Sequence, residues 1–455
     1  MVRSTKDMTE GRLGKQIFIF SLPLMLSNVL QVLFNMSDIA VVGRFAGARA
    51  LGSVGSTSIL VTLFTGLLIG FSGGINVLVA RSMGAREEKN VQEVVHTSAI
   101  LAFSIGILIA VTGLFFSRNF LELLGTKEEL IDGATTYLRI YLLGMPALAI
   151  YNFGNAVLSA VGDTKRPLYY LSIAGVANVI LNLFFVIVCH LDVAGVAIAS
   201  AISQYISAVL IILSLRASDG PYALRRSALR ITREKAKQIL ALGIPSGMQN
   251  AIFAFANLFI QAGVNSFDAV MVEGNSAAVN SDALVFDVMA AFYTACSSFM
   301  GQNFGAKKKD RVLKSYFVSL SYSFCIGAVL GGLLVVFGRQ FLSIFTTEPA
   351  VIDAGMTRLT IMSFSYALSS FMDCTIAASR GLGKSLVPTF IVILGSCVFR
   401  VIWVYTVFAH FGTILSLYLL YPFSWTITAV AEIIYFASCY KKQMRTLNPD
   451  PIRIP

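Results

Sequence analysis

Long apolar runs separated by short polar breaks dominate the chain from residue 16 to residue 439. Each run has the length that crosses the hydrocarbon of a bilayer, about 20 helical residues. The pattern predicts twelve helices, near 16–43, 51–80, 92–117, 134–160, 167–190 and 193–215, then 237–266, 275–300, 314–337, 351–378, 386–409 and 413–439. One polar stretch is long enough to be a linker. It runs from Arg216 to Lys237 and holds Arg225, Arg226, Arg230, Arg233 and Lys235. It divides the chain into an N-terminal six-helix lobe, 1–225, and a C-terminal six-helix lobe, 226–455. The expected fold is an all-α polytopic membrane protein.

Composition agrees with this pattern. Hydrophobic residues make up 56% of the 455 and charged residues only 13%, about half the ~25% of an average soluble domain. Mean hydropathy is +0.75. A soluble enzyme, a disordered chain and a nucleic-acid-binding module are excluded. The net charge of +11 therefore matters only through its placement. Most of the 35 Lys and Arg fall in the two tails and in the loops after the even-numbered helices. The opposite side holds only Arg44, Arg49, Arg118, Lys127, Arg139, Arg339 and Arg358, and Arg400 lies inside a span. Positive charge stays cytoplasmic, so both termini are expected there, as an even number of spans requires. The six Cys lie in or beside apolar runs without a C-x-x-C pair and read as inert packing groups. No cleavable signal is expected, because Met1 to Lys15 is polar and basic and the apolar run after it is too long.

The two halves repeat. One constant shift aligns Gly84-Ala85 with Gly305-Ala306, Phe120-Leu121 with Phe341-Leu342, Ile131-Asp132 with Ile352-Asp353, and Pro167 with Pro388. Near the start of each half the shift is longer by a single position and pairs Pro23 with Pro245. Six helices per repeat give both halves the same orientation, which implies an axis along the membrane normal and lobes around a central cavity. That architecture suits a transporter better than a channel or a membrane enzyme.

Chemistry for other functions is lacking. Gly383-Lys384-Ser385 is the nearest approach to a phosphate loop, but Ala378 stands where that motif requires Gly. His96, His190 and His410 have no metal-ligand spacing, so no metal and no cofactor are expected. No clustered catalytic pair points to an enzyme. Transport must then be driven by an ion gradient or a partner, or be passive.

Charges inside spans are costly in lipid and are functional candidates by default. Asp38 lies late in the first helix, followed by four apolar residues, so the helix is expected to continue past it. Asn178 and Asn182 are four apart in helix 5 and share a face. Their amide oxygens with the carboxylate would suit a hard cation such as sodium, with Tyr137 and Ser200 adding hydroxyls; alternatively the two Asn only bond neighbouring helices. The second half lacks the helix 1 acid, having Ile260 or Gln261 there, and places Phe399 or Arg400 opposite Asn178. It carries Asp287, Asp373, Arg400 and Glu432 instead. A buried Arg400 needs a carboxylate partner, for which Asp373 is expected, either as a structural pair or as part of a substrate contact. Helix 7 adds a polar stripe that includes Asn257 and Gln261. Pro23 and Pro245 form a matched pair of candidate hinges, and Gly66, Gly70 and Gly74 mark a small-residue face.

Together these features resemble the multidrug and toxic compound extrusion (MATE) family over essentially the whole chain. The resemblance rests on Ser21-Leu22-Pro23, Gly243-Ile244-Pro245, Asp38 followed by Val42-Gly43, Gly301-Gln302-Asn303-Phe304-Gly305-Ala306, Gly162-Asp163-Thr164-Lys165-Arg166-Pro167 and Arg380-Gly381-Leu382-Gly383. It implies antiport, in which organic, often cationic and amphipathic compounds leave the cell as sodium ions or protons enter. It assigns the ion site of bacterial members to Asp38, with Asn178 and Asn182 as the helix 5 pair and Tyr137 and Ser200 as supporting groups. Asn182 stands where some members have Asp, and only Gln261 lies near the position of their helix 7 Glu. Asp373 matches a helix 10 acid of some members. Small organic substrates and the bilayer are the expected partners, with no nucleic acid and no obligate protein partner. A flippase for a lipid-linked saccharide, from the same superfamily, is the alternative.

Overall fold

The computed structural model describes residues 7–447. Arg3, Lys6 and Arg453 of the basic tails lie outside the described residues. Twelve helical passes are traced among the described residues. The first six are α1 (Leu13–Val41), α2 (Gly47–Gly84), α3 (Glu88–Leu123), a broken α4 (Glu128–Leu143 and Met145–Ala160), α5 (Lys165–Val188) and α6 (Asp192–Arg216). The second six are α7 (Arg233–Val264), α8 (Ala269–Gly305), α9 (Lys309–Leu342), α10 (Pro349–Gly381), α11 (Leu386–Phe411) and α12 (Ile414–Leu447). Helices are what the solvent dictates, since hydrocarbon offers no partner to an unpaired amide. Pro146 stands at the start of the second piece of α4, where the two pieces bend by 45°. Its ring cannot continue the preceding helix.

The repeat is visible in the backbone and in the surface charges. Arg86 and Lys307 adopt the same positive φ, 56° and 58°, and Gly162 and Gly383 do likewise at 87° and 78°. Arg118 pairs with Asp132, and Arg339 pairs with Asp353. Each of these features in the first half maps onto its counterpart by the shift that carries Gly84 onto Gly305, the register read from the sequence.

Two compact units result. One is built on Leu26–Ala251; the other joins Met8–Met25 to the residues from Ile252 onward. The expected seam at 225/226 therefore lies inside the first unit. The physical reason is the packing of the first part of α7 against α2. A Cβ on Gly70 would stand 2.5 Å from the Gly247 nitrogen, and one on Gly74 would stand 2.7 Å from the Gly243 nitrogen. Backbones approach this closely only where both helices present glycine. Asn250 adds a hydrogen bond from Nδ2 to the Gly66 carbonyl at 3.0 Å. The linker is fastened to the same unit, where the Arg225 amide donates to His96 Nε2 at 3.0 Å. In the second unit Arg311 donates to the Met8, Glu10 and Gly11 carbonyls, which holds the segment before α1.

Gly70→Ala and Gly74→Ala should each destabilise the protein by about 1–3 kcal/mol, the usual cost of overpacking. Gly73→Ala serves as the control, since its Cβ would meet nothing within 4 Å. Thermal unfolding of the three variants in detergent checks this, with Gly73→Ala expected at or above the wild-type midpoint.

Candidate functional site

Asp38 lies on α1 four residues before a π-helical turn, Val42–Ala46, so the helix does run on past the acid. Asn182 stands two residues before a second π turn, Phe184–Val188, that ends α5. Such turns rotate the following side chains relative to an α-helix and recur at functional positions. The two π turns pack on one another within the first unit.

Four of the five expected ion-site residues meet there. Asn182 Nδ2 donates to Asp38 Oδ1 in a short contact, and Ser200 Oγ donates to Asp38 Oδ2 at 3.3 Å. Asn178 Nδ2 reaches Ser200 Oγ at 3.4 Å, and Asn178 Oδ1 accepts from Asn182 at 3.2 Å. Thus α1, α5 and α6 converge on one carboxylate. Both of its oxygens accept a hydrogen bond from a neutral donor, and no cation is paired with it among the described residues. Tyr137 is buried and stacked on Tyr141, with ring centroids 5.8 Å apart. It lines the same space without a hydrogen bond to Asp38.

That space is a cavity of about 450 Å³ in the first unit, lined by Asp38, Tyr137, Tyr141, Asn178, Ser200 and Gln204 among others. Three buried amide atoms close to it lack a hydrogen-bond partner, Asn182 Oδ1, Gln204 Oε1 and Asn152 Nδ2. A buried amide oxygen without a donor is costly, and a cation would satisfy it. Oxygen is also the ligand that hard cations take. The residues present therefore fit a sodium ion, and a proton on Asp38 equally well. Tyr141 and Gln204 were not among the expected residues. Each follows an expected one by four positions, Tyr137 and Ser200, so helical spacing was the signal that could have found them.

The second unit is arranged differently. Arg358 was expected on the outer side among the loop cations, but it is buried inside α10 and pairs with Asp282 of α8. An isolated guanidinium cannot remain in such a place, and neighbouring groups add to its shell, although its Nε has no partner among the described residues. Its Nη1 donates to Asn275 Oδ1 at 3.0 Å, and its Nη2 also reaches Tyr421 Oη at 3.4 Å. Tyr366 donates to the other Asp282 oxygen.

Arg400 is buried too, at 3% exposure. The expected ion pair with Asp373 is absent. Nε donates to Ser424 Oγ at 3.2 Å, and the guanidinium lies over the rings of Tyr421, Phe253 and Trp425 at 4.9, 5.5 and 5.8 Å. Aromatic faces thus replace the carboxylate as the groups around this cation. Asp373 is close enough to act electrostatically on Arg380 and Arg400. Glu432 is fully buried in α12, with no hydrogen bond to either oxygen among the described residues. Asp287 is partly buried in α8, Asn257 is exposed on α7, and Gln261 donates to Asn265 at 2.8 Å.

One family model, MatE, matches the chain twice, over residues 23–184 and 245–406. The chain belongs to the MatE family. The first match begins at Pro23 and the second at Pro245, so each half of this MATE transporter matches the family by itself. A probable multidrug resistance protein of Bacillus subtilis strain 168, YpnP, is 30% identical over 79% of this chain and 80% of its own length. A second from that organism, YoeA, is 27% identical over 97% of both chains. A solved outward-facing multidrug resistance MATE family transporter shares the fold with a TM-score of 0.90, at 22% identity over 99% of each chain. The protein is a multi-pass membrane transporter.

Arg358→Met should cost about 3–5 kcal/mol, because it strands Asp282 in the interior. Arg339→Gln, which breaks the exposed pair of the same unit, should cost no more than ~1 kcal/mol. Arg358→Met combined with Asp282→Leu should recover most of the loss. Unfolding midpoints in detergent separate the three.

Proposed function

We propose that the protein is an antiporter, coupled to sodium ions or protons, that exports amphipathic, often cationic organic compounds across the cytoplasmic membrane by alternating access. Both termini face the cytoplasm in this reading. The observation that carries it is the Asp38 carboxylate, held by Asn182 and Ser200 beside a cavity formed by membrane helices. A carboxylate with only neutral partners gains most from a cation or a proton. Loading therefore changes both its charge and its bonds to α5 and α6. Differential affinity of ion and cargo for the two facings of the transporter drives the cycle. The multidrug resistance relatives support the cargo class. Pro23 and Pro245 lie a few residues before the points where α1 and α7 pass from one compact unit to the other, which suits them to act as hinges.

A lipid-linked saccharide flippase is the second reading, and one observation favours it. Two buried arginines of the second unit, Arg358 and Arg400, lie within spans, and Arg400 has no carboxylate in contact among the described residues. A pyrophosphate would use such groups.

Inside-out vesicles carrying an imposed sodium gradient, or separately a pH gradient, decide between these readings. Uptake of a cationic dye should follow one gradient and be lost in Asp38→Asn. Asn182→Ala should slow it roughly tenfold or more, as loss of a hydrogen bond to a charged group does. If neither gradient moves any of several dyes, the antiport reading fails and the flippase reading takes its place. Normal uptake by Asp38→Asn would remove the α1 site from the coupling path.

A further inference from the structure

The second unit holds, at the repeat-related positions, a version of the first unit's site in which the charge is inverted. The register that carries Arg86 onto Lys307, and one surface ion pair onto the other, places Arg358 opposite Tyr137 and Tyr421 opposite Ser200. Arg400 stands opposite Asn178 in the adjacent register, the one that pairs Pro23 with Pro245. The contacts agree with that assignment. Asn178 touches Ser200 in the first unit, and Arg400 lies over Tyr421 in the second. The acid of the first site has no counterpart, since the two registers place Phe259 or Ile260 there. Where the first unit surrounds a carboxylate with neutral donors, the second surrounds the same region with guanidinium, phenol and guanidinium.

The charges do not close within this cluster. Tyr421 lies between two cations, Arg358 at 5.2 Å and Arg400 at 4.9 Å from its ring centre. Asp282 neutralises Arg358 by direct contact. Arg400 makes a single hydrogen bond, through Nε, and its two Nη groups have no acceptor among the described residues. Tyr421 accepts from Arg358, and no acceptor for its own O–H is found among the described residues. The remaining charged group that acts on Arg400 with opposite sign is Asp373, which makes no ion pair with it. On the α7 side Phe253 covers the guanidinium, and Asn257, one turn further along the same face, is exposed. The polar stripe of α7 thus leads to the cluster.

We infer that Arg400, with the Tyr421 hydroxyl, forms an anion-binding site in the second unit that takes a carboxylate or phosphate group attached to an apolar body. The two free Nη donors match the two oxygens of such a group, and Phe253 and Trp425 offer faces to the apolar part. Arg358 adds a second positive charge behind Tyr421. The site does not depend on which cation loads Asp38, and it stands whether the cargo is a soluble amphipath or a lipid.

Binding to the purified full-length protein in phosphatidylcholine nanodiscs tests this without any transport measurement, so its failure leaves the antiport reading untouched. Benzoate and phenyl phosphate are titrated calorimetrically, with benzylamine as the cationic control. At least one anion should bind saturably. Arg400→Gln should weaken it roughly tenfold or more, the effect of removing hydrogen bonds from a charged donor, and Arg339→Gln, in the exposed ion pair of the same unit, should leave it unchanged. Nanodiscs containing phosphatidylglycerol distinguish the sources. Competition by that lipid assigns the site to a lipid phosphate, and undiminished binding assigns it to a soluble compound. Asp373→Asn, which removes the acid competing for Arg400, should tighten binding severalfold, and it decides the matter should Arg400→Gln fail to fold. The proposal is overturned if neither anion binds the wild type, if Arg400→Gln binds as well as wild type, or if Asp373→Asn leaves the affinity unchanged.

Discussion

A charge inside a membrane helix has no water to retreat to, and its partners must come from neighbouring helices. That constraint organises both halves of this protein. Asp38 draws a donor from α5 and another from α6, so three helices of the first unit meet at one carboxylate. Arg358 draws Asp282 and Asn275 from α8 and Tyr421 from α12. The helices depart from regular geometry close to the first of these charges. The π turns of α1 and α5 follow Asp38 and Asn182 within a few residues, where an unbroken α-helix would carry the chain past the site without widening.

One backbone plan has been given two chemistries. Arg118–Asp132 and Arg339–Asp353 show that the peripheral features were kept in both copies, while Tyr137 and Arg358 show that the interior was not. Exposed ion pairs contribute little stability, so their retention reflects the common architecture of the two units rather than a need for their energy. Interior positions face the opposite situation. A change there alters charge balance by a whole unit, and each copy had to rebuild its surroundings, with amides and a serine around Asp38 and aromatic rings around Arg400.

Much of this was legible in the chain. Twelve apolar runs, the constant shift between the halves and the isolated acid in the first helix stand out because hydrocarbon permits so few polar residues. Asn178, Asn182 and Ser200 could be grouped with Asp38 for the same reason. The failures have equally plain causes. Arg358 was placed among the outer loops because position along the chain says nothing about which way a side chain points. Its partner Asp282 lies 76 residues away on another helix. The Arg400–Asp373 expectation assumed that only a carboxylate can accompany a buried guanidinium, whereas three aromatic faces surround this one. The seam at 225 was read from polarity and lies between the two family matches, while the glycine contacts of α2 with α7 draw the first part of α7 into the first compact unit.

The completeness of each polar cluster separates structural from functional roles. Around Asp282 both carboxylate oxygens are used, and Arg358 engages acceptors with both Nη groups, leaving its Nε as the one buried donor of the cluster without a partner among the described residues. A cluster satisfied to that degree rigidifies its surroundings and has little to offer a ligand. Asn182 Oδ1 and Asn152 Nδ2 are buried and incomplete, and the Nη groups of the buried Arg400 lack acceptors among the described residues. Leaving such groups unsatisfied costs stability, and a fold tolerates the cost where a bound species removes it. The unsatisfied amide atoms of the first unit lie near an acid and its cavity, and the Nη groups of Arg400 lie beside its aromatic shell. By this measure Asn182 in the first unit and Arg400 and Glu432 in the second are the places where a bound species would complete a polar cluster.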